Sequence, residues 1–147
     1  MILQVFCAFW AIFSFAILIG VPKKYLLHSG FIGAGGWLVY LLFHGNQGHI
    51  MMGTFMAAVF IAIISHVFAR TFKSPVIVFF IPGILTIVPG AGMYHIVYYI
   101  LQAKQNQSMI YFVETLQLAG MIALAIFLVD ALVYQIFHKK RDNEIKK

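Results

Sequence analysis

The sequence predicts an all-α, polytopic membrane helix bundle of about five transmembrane helices, the fourth of them broken at Pro-Gly motifs. Three observations carry this. Of the 147 residues, 63% are hydrophobic and only 10% charged, with a mean hydropathy of +0.95, far from the fractions of soluble domains. The apolar residues gather into five runs, at 2–20, 29–43, 50–68, 75–101 and 109–137, each near the about 20 residues a helix needs to cross the hydrocarbon core. The fourth run holds two proline-glycine pairs, Pro82-Gly83 and Pro89-Gly90. With no low-complexity linker between runs, one transmembrane domain over 1–138 is expected, followed by a basic tail over 139–147.

The first run, "MILQVFCAFWAIFSFAILIG", has no basic n-region, no small-x-small cleavage site and more apolar length than a signal h-region. It is expected to stay as a spanning helix. Its Cys7 is the only cysteine, which excludes a disulfide scaffold and leaves packing as its role. In the second run, "SGFIGAGGWLVY", Gly30 and Ala34 lie four apart, as do Gly33 and Trp37, with Gly35 and Gly36 beside them. Small residues at this spacing let helix backbones approach closely. A phosphate-cradling glycine loop would need a preceding strand and a soluble helix after it.

Basic residues set the orientation. Lys23 and Lys24 follow the first run, Arg70 and Lys73 the third, and Lys139, Lys140, Arg141, Lys146 and Lys147 the fifth, whereas "HGNQGH" at 44–49 has no Lys or Arg and "AKQNQS" only Lys104. The positive-inside rule then predicts a multi-pass cell-membrane protein with its N-terminus outside, five crossings and a cytoplasmic C-terminus. A re-entrant hairpin at 75–101 would instead leave the charged tail outside. Because half the basic residues sit in that tail, the net charge of +6 marks the lipid bilayer as partner and excludes nucleic acid. The tail reads as a solvated orientation signal or as an anionic-lipid site.

The fourth run cannot be one regular helix, since Pro82 and Pro89 each lack an amide donor and clash with the carbonyl one turn back, while Gly83, Gly90 and Gly92 supply freedom to turn. At about 1.5 Å per residue, "VPGAG" at 88–92 falls near mid-membrane, where broken backbone is tolerated only against protein or a wet cavity. The half-helix that follows would present bare N–H groups and a positive dipole end near Ala91 and Gly92, suited to a carboxylate. Transporters use discontinuous helices in this way. Gly92, His95, Tyr99 and Gln102 share one face and are candidates to line a path from the break. The alternative is a Pro-kinked helix with Tyr94, Tyr98 and Tyr99 as interfacial aromatics.

The intramembrane ionisable residues His66, His95, Glu114 and Asp130 are functional suspects. Glu114 and Asp130 are sixteen residues apart, roughly 160° around the helix and about 24 Å along it, so they cannot form a carboxylate pair. Glu114 is expected in the first turns of its helix, solvated or capping, or else a substrate or proton site. Asp130 is expected to pair with a tail lysine or Arg70, or to serve proton coupling. His66 and Arg70 share a face; Arg70 either attracts an anionic substrate or anchors the inner surface. His95 is either a satisfied buried histidine or a proton carrier, since histidine can change charge near neutral pH.

At "ARTFKSPVIVFFIPGILTIVPGAGMY", residues 69–94, the chain resembles the threonine/serine exporter family, in particular its small separate subunit, whose relatives include a paired dicarboxylate (succinate) exporter. The order Ala69-Arg70, Pro75, Pro82, Pro89-Gly90 and Tyr94 carries the resemblance, with "GFIGAGGW" in the second run. Thr86 stands where many relatives have a second proline. The resemblance implies a secondary transporter exporting small amino acids or dicarboxylates beside a larger membrane subunit.

Pro89, Gly90, Ala91, Gly92, Tyr94, His95 and Tyr99 are thus the expected substrate-binding residues for a small carboxylate-bearing substrate, with His66, Arg70, Glu114 and Asp130 as ion, proton or anion-attracting candidates. No H-E-x-x-H, Cys/His cluster, G-x-S-x-G or Walker motif occurs, so no enzyme, metal or cofactor is expected, and a gradient would drive transport. The rival readings are a non-transporting partner that stabilises a larger subunit and a homo-oligomeric channel.

Overall fold

The computed structural model describes residues 1–44 and 50–145, with side chains described through residue 136. The "GNQGH" connection at 45–49 and the last two lysines lie outside the described residues. Six α-helices follow in order: α1 Ile2–Leu18, α2 Leu26–His44, α3 Ile50–Thr71, α4 Ile77–Ile84, α5 Gly90–Leu101 and α6 Gln105–Ile145, with a 3₁₀ turn at Lys23–Tyr25 leading into α2. The chain is a helical membrane bundle: three stretches, Lys23–His44, Ile50–Thr71 and Gln105–Ile136, are long and apolar enough to cross a bilayer, and α1 is a shorter apolar helix.

The glycine-rich second run extends three residues earlier than its apolar limits, because Leu26 and Leu27 continue the helix directly from the 3₁₀ turn. It is the middle layer of the bundle. A Cβ at Gly30 would meet Phe9 of α1 at 2.8 Å, whereas one at Gly35 would meet Phe60 of α3 at 2.7 Å. The glycines therefore serve two opposite seams, Gly30 and Gly33 toward α1 and Gly35 and Gly36 toward α3. In lipid, such backbone approach and van der Waals contact supply the association that the hydrophobic effect supplies in water. The α3 side matches, with Gly53, Ala57, Ile61, Ser65 and Ala69 buried at a repeat of four.

α4 inserts between α2 and α3, with Phe79 fully buried against Tyr25, Phe68 and Phe72 and Gly83 between Ile32 and Ile61. These pairings run α4 parallel to α2 and antiparallel to α3. α6 runs parallel to α3, as Ile122 and Ala125 join Ala57, Ala58 and Ile61 in one core.

Three helices end in a left-handed residue closed by the same pair of backbone bonds. Gly20 ends α1, with Val21 N–H donating to Ala16 O. Lys73 ends α3, with Ser74 N–H donating to Ala69 O, and Ala103 ends α5, with Lys104 N–H donating to Tyr99 O. The first two turns meet at one end of the bundle. The Tyr25 and Ser74 hydroxyls share a hydrogen bond, Tyr25 also reaches Phe72 O at 3.5 Å, and Lys24 Nζ lies 4.5 Å from the Tyr25 ring centroid. Lys23, Lys24, Arg70 and Lys73 thus gather at one end, toward which α6 also runs, and Lys104 lies at the other.

Candidate functional site

The prolines of the fourth run act differently from one another. Pro82 stays inside α4, contrary to a break at both pairs. Only Val78 O loses its donor, and the helix ends two residues later. The interruption is residues 85–89, where Thr86 N–H and Ile87 N–H turn back to Gly83 O and Ile84 O, and Thr86 Oγ1 donates to the same Gly83 O at 2.8 Å. Thr86, in the place of a proline, thus adds a donor to the turn. Pro89 then makes a three-residue turn, with Gly90 N–H donating to Val88 O at 2.7 Å, and caps α5 without any side-chain bond.

The first turn of α5 is consequently under-satisfied. Met93 N–H reaches Pro89 O, but the Ala91 and Gly92 amides find no backbone acceptor among the described residues, leaving two bare donors at a positive dipole end. Gly90 opens onto space, with nothing within 4 Å of where its Cβ would stand. Gly92 is the opposite case: its Cβ would run into Thr115 of α6. Gly90 is an approach to the amides, whereas Gly92 is a packing contact.

The depth of this turn differs from the count along the sequence. Gly83 touches Ile61 and Thr86 stands 3.6 Å from the Cβ place of Gly36, near the middles of α3 and α2. Gly92, however, touches Thr115, whose neighbour Glu114 shares a groove with Ile50, Met51 and Met52, the first turn of α3. The break therefore starts at mid-depth and climbs to the end opposite the basic loops. Counting 1.5 Å per residue assumes one axis; the 84–87 turns rise faster, at about 2.0 Å per residue, and α5 leaves the α2/α3 seam to pack on α6.

α5 and α6 form an antiparallel hairpin, so α4 and α5 point the same way and 75–101 is not a re-entrant hairpin. Ser108 Oγ donates to Ile96 O at 3.1 Å. His95 stacks on Tyr111 at 4.8 Å between ring centroids and on Tyr99 at 6.1 Å, and Tyr99 stacks on Tyr111 at 5.4 Å. The stripe of Gly92, His95 and Tyr99 is therefore the face packed on α6, with Tyr99 also at the edge of a small cleft; Gln102 ends the helix. His95 Nδ1 is buried without a hydrogen-bond partner among the described residues. Tyr94 and Tyr98 stack on one another on the exposed side.

Glu114 lies about two and a half turns beyond Gln105, the first residue of α6. Its carboxylate borders a cleft of about 250 Å³ with Tyr99, Gln107, Ile110 and Tyr111, and a larger groove of about 660 Å³ with the start of α3, Phe55, Leu118 and Met121.

The tail lysines lie outside the residues whose side chains are described, and among the described ones His66, not Arg70, is the ion-pair partner of Asp130. Its Oδ1 meets His66 Nε2 at 2.7 Å, with exposures of 58% and 20%. The parallel register of α3 and α6 creates this contact across 64 positions, which no spacing within one run reveals. Arg70 lies one turn beyond His66 and has contacts of its own.

Ser108, Tyr111 and Thr115 complete the α5 seam and were not among the expected site residues. Their signal is the alternating three-and-four spacing of 108, 111, 115, 118, 122, 125 and 129, a seam of coiled-coil period along α6.

A sequence-family model described as "Threonine/Serine exporter, ThrE" matches residues 4–132, which takes in α1 through the His66–Asp130 contact. Among curated proteins and among solved structures, none matches the chain. The family is one of transporters, and its match covers every helix that builds the interrupted turn and its α6 wall. The chain belongs to the threonine/serine exporter family.

Proposed function

We propose that this chain is the small subunit of a secondary transporter that exports threonine- or serine-like amino acids, working with a larger membrane subunit. The observation that carries the reading is the start of α5, where the Ala91 and Gly92 amides lack backbone acceptors among the described residues and Gly90 leaves the approach open. A carboxylate is the matching ligand for such a terminus. Tyr94, His95 and Tyr99 shape its surroundings, the last two through the α6 seam.

Glu114 favours an amino acid over a dicarboxylate. It follows the α5 seam within one residue of Thr115, and a carboxylate there suits an ammonium group while repelling a second substrate carboxylate. The basic loops at the opposite end fit a cytoplasmic inner face, which puts the α5 terminus toward the outer side, where exported solute leaves. Support for a mate comes from α5, which has no buried residue, and from the Gln105–Ile136 stretch, only 11% of whose most apolar window is buried within the chain.

The test is efflux of labelled L-threonine, L-serine and succinate from cells with and without this chain, its natural neighbours intact. Amino-acid efflux that requires the chain supports the reading. Succinate efflux alone reverses the substrate assignment, and unchanged efflux of all three removes the transport role.

A further inference from the structure

We propose that His66 and Asp130 form the proton-binding dyad that couples export to a proton gradient, an inference that rests on the transporter reading above. The contact joins two parallel membrane helices at 2.7 Å, and more than half of the Asp130 surface remains open. The pair is thus in hydrogen-bond contact yet reachable from outside the chain.

Its charge states suit a carrier. With one proton shared between imidazole and carboxylate, the pair is neutral overall; with none, it carries one negative charge. Proton loading thus removes one net charge from the pair, so its two states differ in the cost of sitting in low dielectric. Two ligands are too few for a metal ion, and no group of three metal-binding side chains occurs among the described residues.

On α3, Arg70 lies one turn beyond His66, and on α6, Tyr134 lies one turn beyond Asp130; both have contacts of their own. From α2, His28 packs edge-on to Phe68 and Phe72, with Nδ1 buried and without a hydrogen-bond partner among the described residues. α4, over Ile77–Ile84, has no titratable side chain. Glu114 is about 24 Å away along α6.

α6 also links the dyad to the candidate substrate turn, since Thr115 of the same helix holds Gly92. In the cycle, a proton adds to the dyad after substrate leaves outward and departs to the cytoplasm before the next substrate binds. No covalent bond to substrate forms, and proton and amino acid cross in opposite directions.

The experiment uses inside-out vesicles from cells that produce the full chain with its own membrane neighbours, with labelled L-threonine as probe. Accumulation driven by an acid interior is compared with gradient-free exchange in preloaded vesicles, for wild type, Asp130→Asn and His66→Gln. The expected result is exchange within about twofold of wild type and accumulation lowered at least about tenfold, because only the coupling term is removed. Accumulation equal to wild type overturns the dyad, as does parallel loss of both activities at equal membrane abundance, which marks a structural contact.

Should neither variant reach the membrane, Asp130→Glu decides. It keeps the acid but alters its reach, so the pH midpoint of accumulation must move, and an unmoved midpoint overturns the proposal. Wild-type vesicles that neither exchange nor accumulate threonine overturn the transporter reading and the dyad with it, a result distinct from wild-type flux with unaltered variants.

Discussion

Gly92→Ala offers a worked case in which the sign of a mutation depends on a single neighbour. The added Cβ runs into Thr115 Oγ1, while Thr115 Cβ lies at an ordinary 3.4 Å. Forcing a methyl into a closed seam costs about 1–3 kcal/mol, and the helix gains at most about 1 kcal/mol from replacing glycine by alanine. The net expectation is a loss of about 0.5–2 kcal/mol. In a Thr115→Ala background the obstructing oxygen is gone, so the same substitution becomes neutral or stabilising. A double-mutant cycle by reversible unfolding in mixed micelles measures this, with an expected coupling of at least about 1 kcal/mol. Additive effects, with Gly92→Ala equally costly in both backgrounds, would refute the assignment of Gly92 to packing. The distinction matters for function, since loss of transport in a bulky Gly92 variant reports on the α5–α6 seam before it reports on substrate.

Further outcomes are expected elsewhere. Ala103→Gly stabilises by about 0.5–1 kcal/mol, because Ala103 ends α5 at a φ of 56° that glycine adopts without steric cost; thermal unfolding of the purified chain reads this. Tyr25→Phe loses about 1 kcal/mol through its bonds to Ser74 and Phe72 O, and adding Ser74→Ala costs little more. Phe79→Ala leaves a cavity between α2, α3 and α4 and destabilises toward the lower part of the usual 3–5 kcal/mol range, about 3 kcal/mol, because lipid tails replace water as the reference solvent.

Much of this architecture is visible in the residues themselves, for reasons of solvent. Lipid demands long apolar runs and tolerates few interruptions, so the runs, the glycine seam of α2 and the irregular stretch before Gly90 all leave local marks. Gly30, Gly33, Gly35 and Gly36 announce close packing, although nothing in their spacing says that one pair faces α1 and the other α3. Pro82 shows where local rules stop: a proline near the end of a short helix removes one bond, which the buried seam around Gly83 outweighs. The His66–Asp130 contact depends on the parallel register of α3 and α6, a tertiary quantity with no local trace. The inward turn of His95 and Tyr99 has the same origin, since a polar stripe facing a cavity and one facing a tyrosine-bearing helix look alike until Tyr111 is placed opposite.

The most direct measurement of the central claim is the KM for L-threonine export by Gly90→Leu, with Gly90→Ala as control and L-threoninamide as competing ligand. Leucine extends into the open approach to the Ala91 and Gly92 amides, where a Cβ meets nothing within 4 Å, so KM is expected to rise about tenfold or more, equivalent to about 1.4 kcal/mol. Alanine changes it little, and competition by the amide, which lacks the carboxylate, is unaltered. An unchanged KM in the leucine variant would contradict carboxylate capture at the start of α5.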